Sequence, residues 1–440
     1  MKNIFPVACL VASVSAFSSP VVTDVKVSQS WAQKPLSVSY SLNGGDAIVT
    51  ADILTNGVRI AAGDQLSMSG DVNRVVSCDG NLKTFRWYPP RSWWGEGRSL
   101  SAGTITARLT TWPTNMPPDY MVIDLDGSKN KEYFTSEDRL PLGIDSDVYR
   151  TDKLVMRLIR AKGRPFRFGA SHVNERGLDP VEREYIEKAR HAMLTKDYYI
   201  GVFEFTQGQY HKINGDRPSM FANEECWRTR PVEYLQRSHV IDSNWPNDDP
   251  AVANSAGSNR MLYRLRNAVG MDWRLTLPTC AQWEFACRAG SLTSLNDGYS
   301  TTWHTNSLGA SEASCRLSRN ADNGGLVEES VGTKVNYGAT KGTARVGSYE
   351  PNAWGLYDML GNVSELCQDL YIYPSGYGKM SIDPGSHTKD KNGNATVRTT
   401  RGGSCRQTSL QCRPSYEAFQ QDWLYSTTEC VGFRPIYILP

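Results

Sequence analysis

From about Val21 to Gly127, apolar residues recur at every second position. Val25/Val27, Val38/Tyr40/Leu42, Val49/Ala51/Ile53, Ile105/Ala107/Leu109 and Met121/Ile123/Leu125 alternate with polar neighbours. A period of two belongs to strands with one face buried and the other solvated. Asn43-Gly44-Gly45, Asn56-Gly57, Asp79-Gly80 and Pro117-Pro118 interrupt the run with turn signals. The stretch has no helical period, so the pattern predicts an all-β sandwich of the immunoglobulin or fibronectin type over residues 20–127. Nothing in it carries catalytic chemistry. Trp93-Trp94 offers a carbohydrate-stacking pair or, in the plainer reading, strand packing.

Residues 128–151 are charged and lack a period, which predicts a linker. The pattern then changes. Glu182 to Met193 suits a short helix, Tyr198 to Phe205 a strand, and Asn259 to Val269 has helical apolar spacing. Thr279 to Ala286 is the strongest helix: Thr279 is an N-cap with Gln282 three residues on, and Gly290 follows as a stop. Beyond Gly290 the chain is mostly Gly/Asn/Ser/Thr-rich loop. So much loop inside a domain has to be ordered by a metal, by disulfides or by a function.

At 440 residues the chain exceeds what one core accommodates, in keeping with two domains. A formal net charge of +2 gives no case for nucleic acid or an anionic membrane as partner. Lys2, an apolar run from Ile4 to Val14 and the small residues Val14-Ser15-Ala16 predict an export signal over residues 1–16, with the mature protein periplasmic or extracellular. No later segment has the apolar length of a transmembrane helix. Removing Cys9 with the signal leaves nine cysteines, an odd number, so at least one thiol is free or pairs between chains. None of the spacings is a CxxC, and six scattered histidines form no HxxxH or HExxH, which argues against zinc.

The last 300 residues carry a series of blocks. Asp197 to Tyr210, Arg230 to Glu233, Arg274 to Gly290, Val346 to Glu365, Arg401 to Arg413 and Gly432 to Arg434 follow in order. Together they resemble the formylglycine-generating enzyme (sulfatase-modifying factor) family. The resemblance implies an α+β, loop-rich domain of the complex C-type-lectin-like class over residues 152–440, with calcium as a staple. Among sulfatase-activating members, two cysteines after the Arg-Gly-Gly-Ser block hold copper(I), and a substrate cysteine is oxidised to formylglycine. On that pattern Ser404 matches the family serine and Cys412 the second cysteine, both catalytic if the chain is an oxidase. The first cysteine falls on Gln407 and the histidine after it on Thr408. A neutral amide cannot replace a thiolate on copper(I), so copper is not expected. Cys405, seven residues before Cys412, is the other nearby thiol. Where oxidase members read Trp-Glu-Trp, this chain has Ser364-Glu365-Leu366, which removes two large walls of the substrate groove.

The resemblance carries calcium over to Gly361, Asn362, Val363 and Glu365, which mix side-chain and carbonyl oxygens. Asp358 and Asp369 surround that loop as turn or cation ligands. Asn320, Asp322 and Asn323 offer a looser oxygen cluster, or a turn held by Asx hydrogen bonds. Arg401, Gln407 and Thr408 are expected along the binding groove. The expected function is an exported, non-oxidising binding or assembly module for a protein, a peptide or a carbohydrate. The alternatives are a sulfatase-modifying oxidase with an altered copper site, and a surface receptor whose variable loops span 408–429.

Overall fold

The computed structural model describes residues 19–28, 35–59, 67–89, 105–169, 190–222, 224–235, 237–240, 260–293, 342–370, 380–384, 397–407, 409–421 and 430–440. The predicted export signal, Trp93-Trp94, most of Glu182–Met193, the Asn320 to Asn323 cluster and Thr408 lie outside them. The chain divides into two units, Met1–Pro117 and Pro118–Pro440.

The first unit is the predicted β-structure. Its strands are β1 (Val21–Ser28), β2 (Leu36–Asn43), β3 (Ala47–Thr55), β4 (Val58–Arg59), β5 (Met68–Gly70), β6 (Arg74–Val76), β7 (Lys83–Trp87) and β8 (Ile105–Pro113). One sheet has the order β1-β2-β7-β5; the other is β4-β3-β6 with β8 also paired to β3. All these pairs are antiparallel. Val38, Tyr40, Val49, Ile53, Phe85 and Trp87, from both sheets, share one core. The period-two pattern places them there, since alternate side chains leave a strand on opposite faces.

Pro117-Pro118 ends this unit, earlier than the sequence pattern suggested. The alternating residues Met121, Ile123 and Leu125 belong to the second unit. There β9 (Tyr120–Asp124) pairs with β10 (Lys131–Phe134) and with β11 (Lys153–Ile159). The expected linker is therefore structured, and holds β10 and the short helix α1 (Val148–Thr151). A half-buried strand shows the same alternation whichever sheet it joins, so periodicity alone could not place this boundary.

The remaining strands are β12 (Pro165–Phe168), β13 (Arg190–Met193), β14 (Tyr198–Gly201), β15 (Leu275–Thr276), β16 (Ser364–Leu370), β17 (Ser381–Ile382), β18 (Val397–Arg401), β19 (Glu417–Gln421), β20 (Val431–Gly432) and β21 (Ile436–Ile438). They form sheets of order β10-β9-β11-β14-β21-β15, β12-β13-β17 and β19-β18-β16-β20. Residues 190–193, read as the end of a helix, are β13 because they pair with β12. Pairing partners override weak local preference there. The helices are α2 (Gln207–Asn214), α3 (Arg237–Val240), α4 (Met261–Val269) and α5 (Cys280–Arg288).

Helix α5 begins as its sequence dictates. The Gln282 N–H donates to Thr279 Oγ1 (3.1 Å), and the Thr279 N–H donates to Gln282 Oε1 (2.9 Å). Asp369 Oδ2 accepts the next free N–H, that of Cys280, at 2.5 Å. One face of the large sheet packs Met156, Leu158 and Tyr199 with Met261, Leu262 and Leu265 of α4. Tyr198 and Ile200 point the other way and pack with Trp283, Ala286 and Cys287 of α5. Among the described residues, no helix is long and apolar enough to cross a membrane.

Candidate functional site

The site lies where β16, β18, β20 and the loop before β16 meet α5. Its deepest group is Arg434, two residues after β20. Arg434 Nε lies 3.0 Å from both Glu365 oxygens, and Nη2 lies 2.7 Å from Oε1. Nη1 donates to the carbonyls of Gly201 and Val202 at 2.9 Å, and Nη2 also donates to the Tyr357 carbonyl at 2.8 Å. Trp283 Nε1 donates to Glu365 Oε2 at 2.7 Å. Both charged groups are buried, so their fork-to-fork pairing supplies what water no longer does.

Two further buried acids surround this pair. Glu204 accepts the Asn362 side-chain amide (2.6 Å) and the Val363 N–H (3.0 Å). Burial, followed by the charges of Asp358 and Glu365, raises its carboxyl well above the usual range. Asp358 Oδ2 accepts the Gly347 N–H at 2.6 Å, and burial raises this carboxyl to about 6. Its second oxygen, Oδ1, is buried with no hydrogen-bond partner. Arg434 pairs with Glu365 and its charge also reaches Glu204 and Asp358, the latter lying within the field of Arg150 as well.

The residues expected to hold calcium are already engaged with the protein. Asn362 Oδ1 accepts the Ala344 N–H at 2.8 Å and its amide donates to Glu204, so its side chain ties loops together. The Glu365 carboxylate is held by Arg434 and Trp283. The unused oxygen belongs to Asp358, at the start of the same loop. Among the described residues, no three Asp, Glu, His or Cys side chains converge on a metal-binding point.

Arg401, expected along the groove, is buried. Its Nη1 donates to Glu284 Oε2 and to the Pro414 carbonyl, both at 3.1 Å, and its Nη2 pairs with Glu417. Arg288 donates to Glu284 Oε1 at 2.7 Å, extending the network onto α5. Gly402 and Gly403 then turn the chain at φ of 90° and 69°. A Cβ on Gly403 would lie 2.6 Å from the Gln411 carbonyl oxygen and 2.8 Å from Cys412 Sγ, so the backbone passes where only glycine fits.

That close passage places the sulfur. Cys412 is buried, and its Sγ faces the Ser404 carbonyl oxygen at 3.8 Å, within the cluster of Trp283 and Cys287. Ser404 is buried too, and its Oγ accepts the Arg406 N–H at 3.4 Å. Gln407 is half-buried, with Oε1 accepting from Ser364 Oγ at 3.3 Å. Cys405 belongs to a different cluster, with Phe221 and Cys430, and its Sγ is 3.3 Å from that of Cys430. Sequence reasoning did not find Glu204, Trp283 and Cys430 as partners in this region. They lie far along the chain from the residues they touch, and no local spacing announces them.

Residues 149–437 match the sulfatase-modifying factor enzyme 1-like domain. Chaperone protein LppX of Paenibacillus barcinonensis is 28% identical over 202 residues, which is 40% of this chain and 64% of that protein. The serine/threonine-protein kinase pkn1 of Chlamydia pneumoniae is 42% identical over 76 residues, 17% of this chain and 12% of the kinase. The chain therefore spans less than two thirds of the length of either curated relative. Treponema denticola variable protein 1 superimposes with a TM-score of 0.44 at 18% identity, covering 66% of this chain and 96% of that one. Since the domain match takes in more than half of the sequence, the chain belongs to the sulfatase-modifying factor enzyme 1-like domain family.

Proposed function

We propose that the second unit is a non-oxidising member of this family that serves as a binding or assembly module for a protein or peptide, or for a carbohydrate. The placement of the sulfurs carries this reading. Copper(I) requires two soft donors at one point, and here a neutral amide, Gln407, stands where the family's first thiolate would be. Cys405 does not restore the family's pair with Cys412, because its sulfur faces Cys430 in a separate cluster. Similarity to a protein named as a chaperone supports the assembly side of the proposal.

Copper(I) titration against a chromophoric chelator tests it. Wild type and Cys412→Ser should compete equally weakly, and a sulfatase-derived peptide should keep its cysteine. Tight binding lost in Cys412→Ser, or an aldehyde product, would instead establish the oxidase with an altered ligand set.

The same reading includes calcium as a structural staple and export from the cytoplasm. The orphaned Asp358 Oδ1 beside an excess of buried carboxyls supports the first. Added calcium should raise the melting temperature of wild type and leave that of Asp358→Asn unmoved; equal responses would rule the staple out. The basic and apolar N-terminal residues support the second, and N-terminal sequencing of the mature protein, expected to start near residue 17, checks it.

A further inference from the structure

We infer that Cys405 and Cys430 form a disulfide that closes residues 406–429 into a loop tied to the frame of the site. Their Sγ atoms are 3.3 Å apart, and both side chains are buried against Phe221. A bonded pair stands about 2.05 Å apart, so the sulfurs need to approach by only about an ångström.

The backbone sets this approach independently of the sulfurs. The Cys405 N–H donates to the Asn362 carbonyl at 2.9 Å, and the Cys430 carbonyl accepts the Ser364 N–H at 2.8 Å. The two cysteines are therefore pinned, one from each end of the segment, to Asn362 and to Ser364, the first residue of β16. Cys430 also adopts a φ of 62°, a left-handed conformation that glycine or asparagine takes more easily. A cysteine held there has its sulfur aimed at Cys405.

The surroundings favour a disulfide over a metal-bound dithiolate. Hydrogen bonding with Cys405, followed by burial, raises the Cys430 thiol well above its usual range, so the thiolate a soft cation requires is disfavoured. A disulfide is neutral and suits the apolar contact with Phe221. Its formation transfers two electrons and two protons. An external disulfide of a thiol–disulfide exchange catalyst is reduced to its dithiol while the two cysteine S–H bonds are replaced by one S–S bond. Because the native pair is buried, exchange takes place as the chain folds. The consequence is covalent: the bond would tie both ends of the segment that carries Gln407 and Cys412 to the frame beside β16.

The test uses the full chain, secreted into an oxidising compartment and denatured in an alkylating agent without reductant. Mass spectrometry of the digest should find the peptides of Cys405 and Cys430 joined and neither residue alkylated. Prior reduction should separate them and lower the melting temperature by roughly 5–10 °C. Cys405→Ser, Cys430→Ser and the double variant should all match the reduced protein. The proposal is overturned if either residue is alkylated in the unreduced wild type, is joined to a different cysteine, or is protected by bound copper. Reading the linkage in wild type keeps the test decisive if a variant fails to fold.

Discussion

Two stretches of the second unit lie side by side and differ in how much of the family pattern they carry. The frame around Arg434, Glu365, Glu204 and Trp283 is complete: nearly every donor and acceptor is matched, and the charges are buried. In the neighbouring thiol segment from Ser404 to Cys412 the turn is kept, but an amide stands where copper chemistry requires a sulfur. The difference separates what the fold requires from what the reaction requires. A buried ion pair cannot lose one partner without stranding the other in a medium that will not solvate it. A half-buried side chain outside that network, such as the residue at 407, can be exchanged with little harm to folding. A family resemblance carried by the frame therefore states the architecture and leaves the activity to be argued from the site.

Breaking the frame should have the largest effect. Arg434→Met leaves Glu365 without its paired cation beside Glu204 and Asp358, and is expected to destabilise the protein by about 3–5 kcal/mol in urea unfolding. Loss of less than about 1 kcal/mol would mean that the frame is not what secures this unit.

Next comes a buried acid whose effect depends on pH. Glu233 accepts the Phe221 N–H at 2.9 Å, and burial raises its carboxyl to about 7. The folded state therefore holds this proton more tightly than the unfolded chain does. Its contribution is full below about pH 4.5 and is lost as pH rises through 7, a change of about 3 kcal/mol. Glu233→Gln should flatten that part of the stability profile; an unchanged slope would assign it to other groups.

The smallest change in stability is expected in the thiol segment. Gln407→Cys replaces a half-buried side chain and should shift unfolding by about 0.5 kcal/mol or less. It should also create a copper(I) site that disappears when Cys412→Ser is added. If no site appears, the two positions are not within reach of one ion, and the loss of chemistry lies deeper than one ligand.

Legibility in the sequence followed the range of the interaction. Helix α5 and its Thr279/Gln282 capping box were readable because the partners are three residues apart. The strands of the first unit were readable because one buried face imposes a period of two. The role of Asn362 was not, since its carboxylate partner is Glu204, 158 residues away. Arg401 looked like a groove residue by position and is buried, because Glu284 and Glu417 converge on it from α5 and β19.

The sequence by itself determined the two kinds of architecture, the membership of the second unit in its family, and the absence of a thiol at position 407. Each depends on residue identity in order along the chain. Only the tertiary structure decided that the first unit ends at Pro117, that Asp358 keeps the spare oxygen, and that Cys405 faces Cys430 instead of Cys412. Those facts depend on which distant segments are brought together, and that is set by packing and by pairing of buried charge across the whole unit.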